Sequence, residues 1–332
     1  MDTVIDHDAL PRHGRPAPFA RTFGWAMLTI LVAFLVNNIL VVWFGFPGLR
    51  GIGTEGGLLG WASLALYAIA LAVAVAIVFT SPNRSLRWDA HLVHRFNVYL
   101  VRALFWSIFL VGLFDASIAF LRSEGLTVTL FGDALGQSLT RSNFIGPWIH
   151  VPLIVIGFLL ALVTRTLGFP WLALLIVAAE LLIVLSRFVF SYEQALMGDL
   201  VRYWYAALFL FASAYTLYEE GHVRVDILYA GLGRTTRGYL NAQGTILLGL
   251  TTSWVILWIA FNGPQSIVNA PVKNFEISQA GPFGMYVKYQ MAAFIGLFAV
   301  TMLIQFVSYF FDAVADWYDE PGHRAPGHSS AH

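Results

Sequence analysis

The sequence predicts an all-α integral membrane protein, with about eight transmembrane helices joined in part by short interfacial amphipathic helices. Three observations carry this expectation. Hydrophobic residues make up 58% of the 332 and charged residues only 11%, and mean hydropathy is +0.71, a balance that a soluble domain of this size does not keep in solution. The apolar residues fall into runs close to the roughly 20 that a bilayer core demands of a helix. The charged residues collect between those runs.

The elements follow in order. Residues 1–22, with Asp2, Asp6, Asp8, Pro11, Pro16 and Pro18, read as a disordered cytoplasmic tail, and the apolar run after them is too long for a signal-peptide core. Spans are expected at 23–44, 58–79, 98–120, 148–167, 170–190, 200–217, 238–261 and 285–311. Only Gly168-Phe169-Pro170 separates the fourth from the fifth, and a proline disfavours helix in the residue before it, so a tight turn is expected there. Pro147 is expected to open the fourth span. Residues 81–97 place Trp88, Leu92 and Phe96 at i, i+4 and i+8, with Arg87, His91, His94 and Arg95 elsewhere on the wheel. That pattern predicts a basic helix lying on the inner leaflet. Residues 191–199 predict a second short amphipathic connection, on the opposite side. The composition changes near residue 168, which divides a membrane extension (23–167, about four helices) from a four-helix membrane domain (168–318), with a disordered cytoplasmic tail at 319–332. No convincing repeat relates the two halves.

Lysine plus arginine equals aspartate plus glutamate at 19 each, so net charge draws the chain toward no nucleic acid, and only the placement of charge is informative. With eight spans and the amino terminus inside, eleven cations fall inside and seven outside, while Arg102 lies within the third span; together these account for all 19. The positive-inside rule then puts both termini in the cytoplasm. Most of the eleven tryptophans lie toward span ends, as an aromatic belt does.

Enzymatic constellations are missing. Zero cysteine excludes thiolate chemistry and cysteine-ligated metal centres. Lys273 and Lys288 are the only lysines and neither sits in a phosphate loop, no His-Glu-x-x-His occurs, and the glycines from Gly51 to Gly60 follow no strand. His91 and His94 lack a third ligand nearby. The chain is therefore expected to be no enzyme and to hold no cofactor.

The most informative stretch is 214–229, where Glu219, Glu220, His222, Arg224 and Asp226 stand together between two apolar spans and so mark a membrane surface. The order Gly221-His222-Val223-Arg224-Val225-Asp226 resembles the signature loop of the small membrane (DctQ-like) subunit of tripartite ATP-independent periplasmic (TRAP) transporters. The likeness runs from about 170 to 315. Ser186-Arg187-Phe188-Val189-Phe190 is similar to the ending of the family's first helix, and Asp199-Leu200-Val201-Arg202-Tyr203 to the opening of its second. Glu276-Ile277-Ser278, Lys288 and Gln305 resemble its third connection and fourth helix. The sequence departs at Ala195 to Gly198, where the family usually carries a tryptophan and a glutamate. The resemblance implies an inner-membrane small permease subunit in a long form. Its implied partners are a large membrane subunit that carries the sodium and substrate sites, and a periplasmic binding protein that captures an organic anion such as a carboxylate or sugar acid.

Candidate residues fall in two groups. Arg187, Asp199, Arg202, Glu219, Glu220, His222, Arg224, Asp226, Glu276, Lys288 and Gln305 are candidates for a partner interface; each can equally pin a helix end or hydrogen-bond between helices. Glu180, Asp115 and Arg102 are intramembrane ionisable residues, which mark functional positions because an unpaired charge in lipid is costly. Asp115 and Arg102 stand 13 residues apart, about 20 Å along a helix, and so do not pair with each other. The alternative function is a self-sufficient secondary carrier that uses these three residues as coupling groups.

Overall fold

The computed structural model describes residues 12–53, 57–165, 169–193, 195–218, 229, 231–277 and 283–322. Eight helices among them are long and apolar enough to cross a membrane: α1 (Pro18–Phe44), α2 (Gly57–Phe79), α3 (Leu86–Ser123), α5 (Ser142–Val163), α6 (Pro170–Phe190), α7 (Ala195–Tyr218), α8 (Arg234–Ala260) and α10 (Lys288–Trp317). Two shorter helices, α4 (Leu126–Ser138) and α9 (Asn269–Lys273), lie in connections. No strand occurs among the described residues, so the all-α membrane class stands.

Several boundaries differ from expectation for identifiable reasons. The basic surface helix at 81–97 is instead the first three turns of α3, which runs unbroken for 38 residues. Leu92 and Phe96 are exposed, as a lipid-facing stripe requires, but Arg87, Asp89, His94 and Asn97 are buried in the protein rather than solvated. In lipid the apolar stripe faces outward and the polar residues turn toward hydrogen-bond partners inside the protein. Pro147 does not open α5. The helix begins at Ser142 and widens to a π-turn over Gly146–His150, a common accommodation where prolines remove amide donors. The connection before it contains α4, which folds back on itself at Gly132 (φ 76°), a backbone conformation that favours glycine.

Nor are the described parts of the two tails loose. Gly14 donates to Asn83 O at 2.9 Å, and Ser85 N donates to Arg12 O at 3.1 Å. Glu320 is 3% exposed.

The chain forms two compact units. The first comprises Met1–Asn97, Ala214–Pro264 and Ala299–His332. Its interior is polar in places: Asn97 Nδ2 donates to Thr301 O (3.0 Å) and to Gln305 Oε1 (3.2 Å), His94 Nδ1 lies 3.1 Å from the same oxygen, and Ser308 donates to Ala90 O (2.8 Å). Such bonds hold helices together where lipid offers no hydrophobic driving force. At one end of this unit Arg87 bridges Asp312 and Asp316, and Arg234 bridges Asp316 and Asp319.

The second unit comprises Val98–Ser213 and Gln265–Phe298. Phe105, Ile108, Val111, Tyr203, Trp204, Phe211 and Phe294 form its core. Gly157 brings α5 against α3 at backbone distance, since a Cβ there would lie 2.5 Å from the Ser107 nitrogen.

Candidate functional site

In the second unit, polar side chains converge on residues 284–286, just before α10. Asp199, in the first turns of α7, accepts Met285 N–H at 3.0 Å, and Asp115, on α3, accepts Tyr286 N–H at 2.6 Å. Two carboxylates thus receive successive amides at the start of a helix, where oriented N–H groups favour negative charge. Arg122 closes the other side: its Nη2 donates to Gly284 O (2.6 Å) and its guanidinium lies 3.8 Å from the centre of the Tyr286 ring. The Tyr286 hydroxyl donates to Thr140 O at 2.8 Å. Burial pushes that phenol above its usual range, with Arg122 opposing and Asp115 reinforcing the shift.

A chain of buried groups continues from Asp115. His150 Nε2 lies 3.3 Å from Asp115 Oδ1, and His150 Nδ1 shares a 2.9 Å hydrogen bond with the Tyr289 hydroxyl. Gln290 Nε2 donates to the same hydroxyl (3.0 Å), and Tyr203 donates to Gln290 Oε1. Asp115, His150 and Tyr203 are all 0% exposed. This network holds the backbone before α10. Among the described residues no group of three or more acidic or histidine side chains is arranged to hold a metal.

The sequence-derived candidates separate sharply. Glu219, Glu220, His222, Arg224 and Asp226 lie outside the described residues. Asp199 and Gln305, offered as interface candidates, are buried and bonded inside the chain, Gln305 to Asn97 and His94. Arg187 (with Glu193, 3.6 Å), Arg202 (3.9 Å from Asp199) and the Lys288–Glu276 pair (2.6 Å) remain exposed where α6 ends and α7 and α10 begin.

The three intramembrane residues occupy three environments. Asp115 belongs to the buried network, and Arg102 donates to Thr164 O (2.8 Å) at the end of α5. Glu180 is exposed on α6. His150, Arg122, Tyr203, Tyr289 and Gln290 were missed by sequence reasoning. His150 had a signal, because it is an ionisable residue inside a predicted span; the others join the network only through pairings across helices.

Fold and site together define a polytopic all-α membrane protein whose buried polar groups brace helices and whose described residues hold no metal cluster. Residues 173–314 match the family model of tripartite ATP-independent periplasmic transporters, DctQ component. A DctQ domain therefore occupies this segment, preceded by an N-terminal extension of helices long and apolar enough to cross a membrane, and the family that the model describes is a transporter component. No curated protein and no solved structure matches the chain. The network crosses this boundary: Asp115, Arg122, Thr140 and His150 come from the extension, and Asp199, Tyr203, Tyr286, Tyr289 and Gln290 from the DctQ domain.

Proposed function

We propose that this chain is the small permease subunit of a TRAP transporter in a bacterial inner membrane, and that it frames a large membrane subunit which performs sodium-driven uptake of an organic anion delivered by a periplasmic binding protein. Both termini are cytoplasmic, and the extension stiffens the frame by clamping the segment before α10.

The observation that carries this reading is the position of Glu180. It lies ten residues from either end of α6 and is exposed, on a helix with only 17% of its span buried. Ten residues of helix measure about 15 Å, so the side chain does not reach either membrane surface. A carboxyl held at that depth against lipid is costly, and such residues normally face protein or water. Arg187, seven residues on and also exposed, lies on the same side of the helix. The α6 face bearing Val177, Glu180, Val184 and Arg187 is therefore the docking face for the large subunit, which supplies a hydrogen-bond donor or cation opposite Glu180.

The test is co-purification with the large subunit after gentle detergent extraction. Replacing Glu180 by Lys is expected to reduce retention of the large subunit about tenfold, the effect of one repulsive buried contact of about 1.4 kcal/mol. Undiminished retention would remove α6 as the docking face. The subunit reading itself fails if the purified chain alone, in liposomes with a sodium gradient, takes up solute; that result would establish the self-sufficient carrier.

A further inference from the structure

We propose that the first unit carries a binding site for one anionic phospholipid, with its phosphate held by Arg12 and Arg84 at the turn between α2 and α3 and an acyl chain laid in the groove among α1, α2 and α3. The headgroup half is a cavity of about 470 Å³ whose lining includes Arg12, His13, Thr80, Asn83, Arg84 and Trp88. No carboxylate is among the described residues that line it. Two acids flank it: Asp89 is fully buried and engaged by Arg21 at 2.7 Å, with Arg84 at 3.7 Å, and Glu320, packed against Gly14 and Ser85, is countered by Arg87. Arg21 and Arg84 thus share Asp89, and Arg12, held over Trp88, adds a third guanidinium where α2 ends and α3 begins.

The cavity also has a rigid floor. Arg21 donates to Ser81 O (2.5 Å) and Ser81 Oγ (2.9 Å), which fixes the turn. Arg12 lies 5.1 Å over the Trp88 ring, so its guanidinium is held beside the opening.

The acyl half begins one turn deeper. Trp88 lines the polar cavity and Leu92, four residues on and about 6 Å along the helix, lines an apolar groove of about 560 Å³. Leu28, Val32, Ile69, Val73 and Phe96 form its walls, and the hydroxyl of its one aliphatic polar residue, Thr29, is bonded to its own helix at Trp25 O. A dry open groove in a bilayer takes hydrocarbon, and a basic pocket at its mouth selects for a negative headgroup. Positive-inside placement of this arginine-rich end assigns the site to the cytoplasmic leaflet, where anionic lipids are attracted to basic clusters. The site does not depend on any contact at Glu180.

Native mass spectrometry of the full-length protein in mild detergent tests this, with phosphatidylglycerol, phosphatidylcholine and glycerol 3-phosphate as probes. One phosphatidylglycerol is expected to be retained in preference to phosphatidylcholine. R12Q/R84Q protein is expected to lose about 25-fold in that affinity, from about fivefold for each cation at an anionic surface, and R12K/R84K protein to keep most of it. V73W, which fills the groove and leaves both arginines in place, is expected to weaken retention of the lipid and not of glycerol 3-phosphate. Equal retention of the two lipids by the unaltered protein overturns the proposal without reference to any variant. So does unchanged retention by folded R12Q/R84Q or V73W protein, and so does glycerol 3-phosphate displacing phosphatidylglycerol at equal concentration, which would reduce the site to a pocket for free anions.

Discussion

The helices α6 and α10 both belong to the DctQ domain and both cross the membrane, yet 17% of one span is buried and 56% of the other. Their polar residues follow opposite rules. On α10, Gln290, Thr301, Gln305 and Ser308 are buried and bonded inward, and apolar Ile295 is among the exposed residues. On α6, Glu180 and Arg187 point outward among Val177, Leu181 and Val184. In lipid a polar group goes where its partners are. In the proposed assembly Glu180 has its partner in another molecule, whereas α10, which turns its polar residues inward, is a hub of this one.

The sharpest way to break this contrast is to remove a hub contact. Asp115→Ala leaves the buried Tyr286 amide without its acceptor and removes the carboxylate 3.3 Å from His150, and is expected to destabilise the isolated chain by about 2–3 kcal/mol, the range for a hydrogen bond to a charged group with its partner left unsatisfied. Thermal unfolding in detergent reads this directly. A melting temperature unchanged from that of the parent protein would show that the network does not hold α10. By contrast Glu180→Leu is expected to leave the isolated chain at least as stable while lowering retention of the large subunit; loss of stability comparable to Asp115→Ala would place Glu180 inside the chain's own packing.

The fold was legible because hydropathy in lipid is a strong signal: all eight spans were placed, most with boundaries within a few residues. The π-turn at Gly146–His150 and the π-turn at Thr245–Leu250 were not legible, since they depend on how neighbouring helices meet the widened backbone. The inward bonding of Arg87 and His94 was not legible because an amphipathic wheel gives a stripe without saying whether its polar side meets water or protein; the same Trp88-Leu92-Phe96 spacing suits a helix lying on lipid or one immersed in it. Asp115 and Glu180 both stood out as charges inside spans. Only the packing distinguishes them, because it buries one and exposes the other.

A smaller effect is expected at Glu320, which follows α10. Burial raises its carboxyl above the usual value of 4.5, with Arg87 opposing. A raised folded value means that the stability Glu320 contributes is complete below the unfolded value and is lost as pH rises through the folded one. Glu320→Gln keeps the shape without the charge, so it is expected to be more stable than the parent at neutral pH, with the difference closing below about pH 4.5. A constant difference across that range would mean that burial of charge is not its cause.

The smallest effect is expected at Lys288, and it isolates what anchors the start of α10. Two kinds of contact meet there: the buried amide bonds of Met285 and Tyr286 to Asp199 and Asp115, and the Lys288–Glu276 pair, whose side chains are 41% and 45% exposed. An exposed pair contributes only about 0–1 kcal/mol and is screened by salt. A cation in the first turn also opposes the helix dipole, which the two carboxylates favour. Lys288→Ala is therefore expected to change stability by less than about 1 kcal/mol, and by less still at high salt. If Lys288→Ala instead matched Asp115→Ala in unfolding temperature, the exposed pair rather than the buried carboxylates would be fixing α10, and the hub would have been placed one turn too deep.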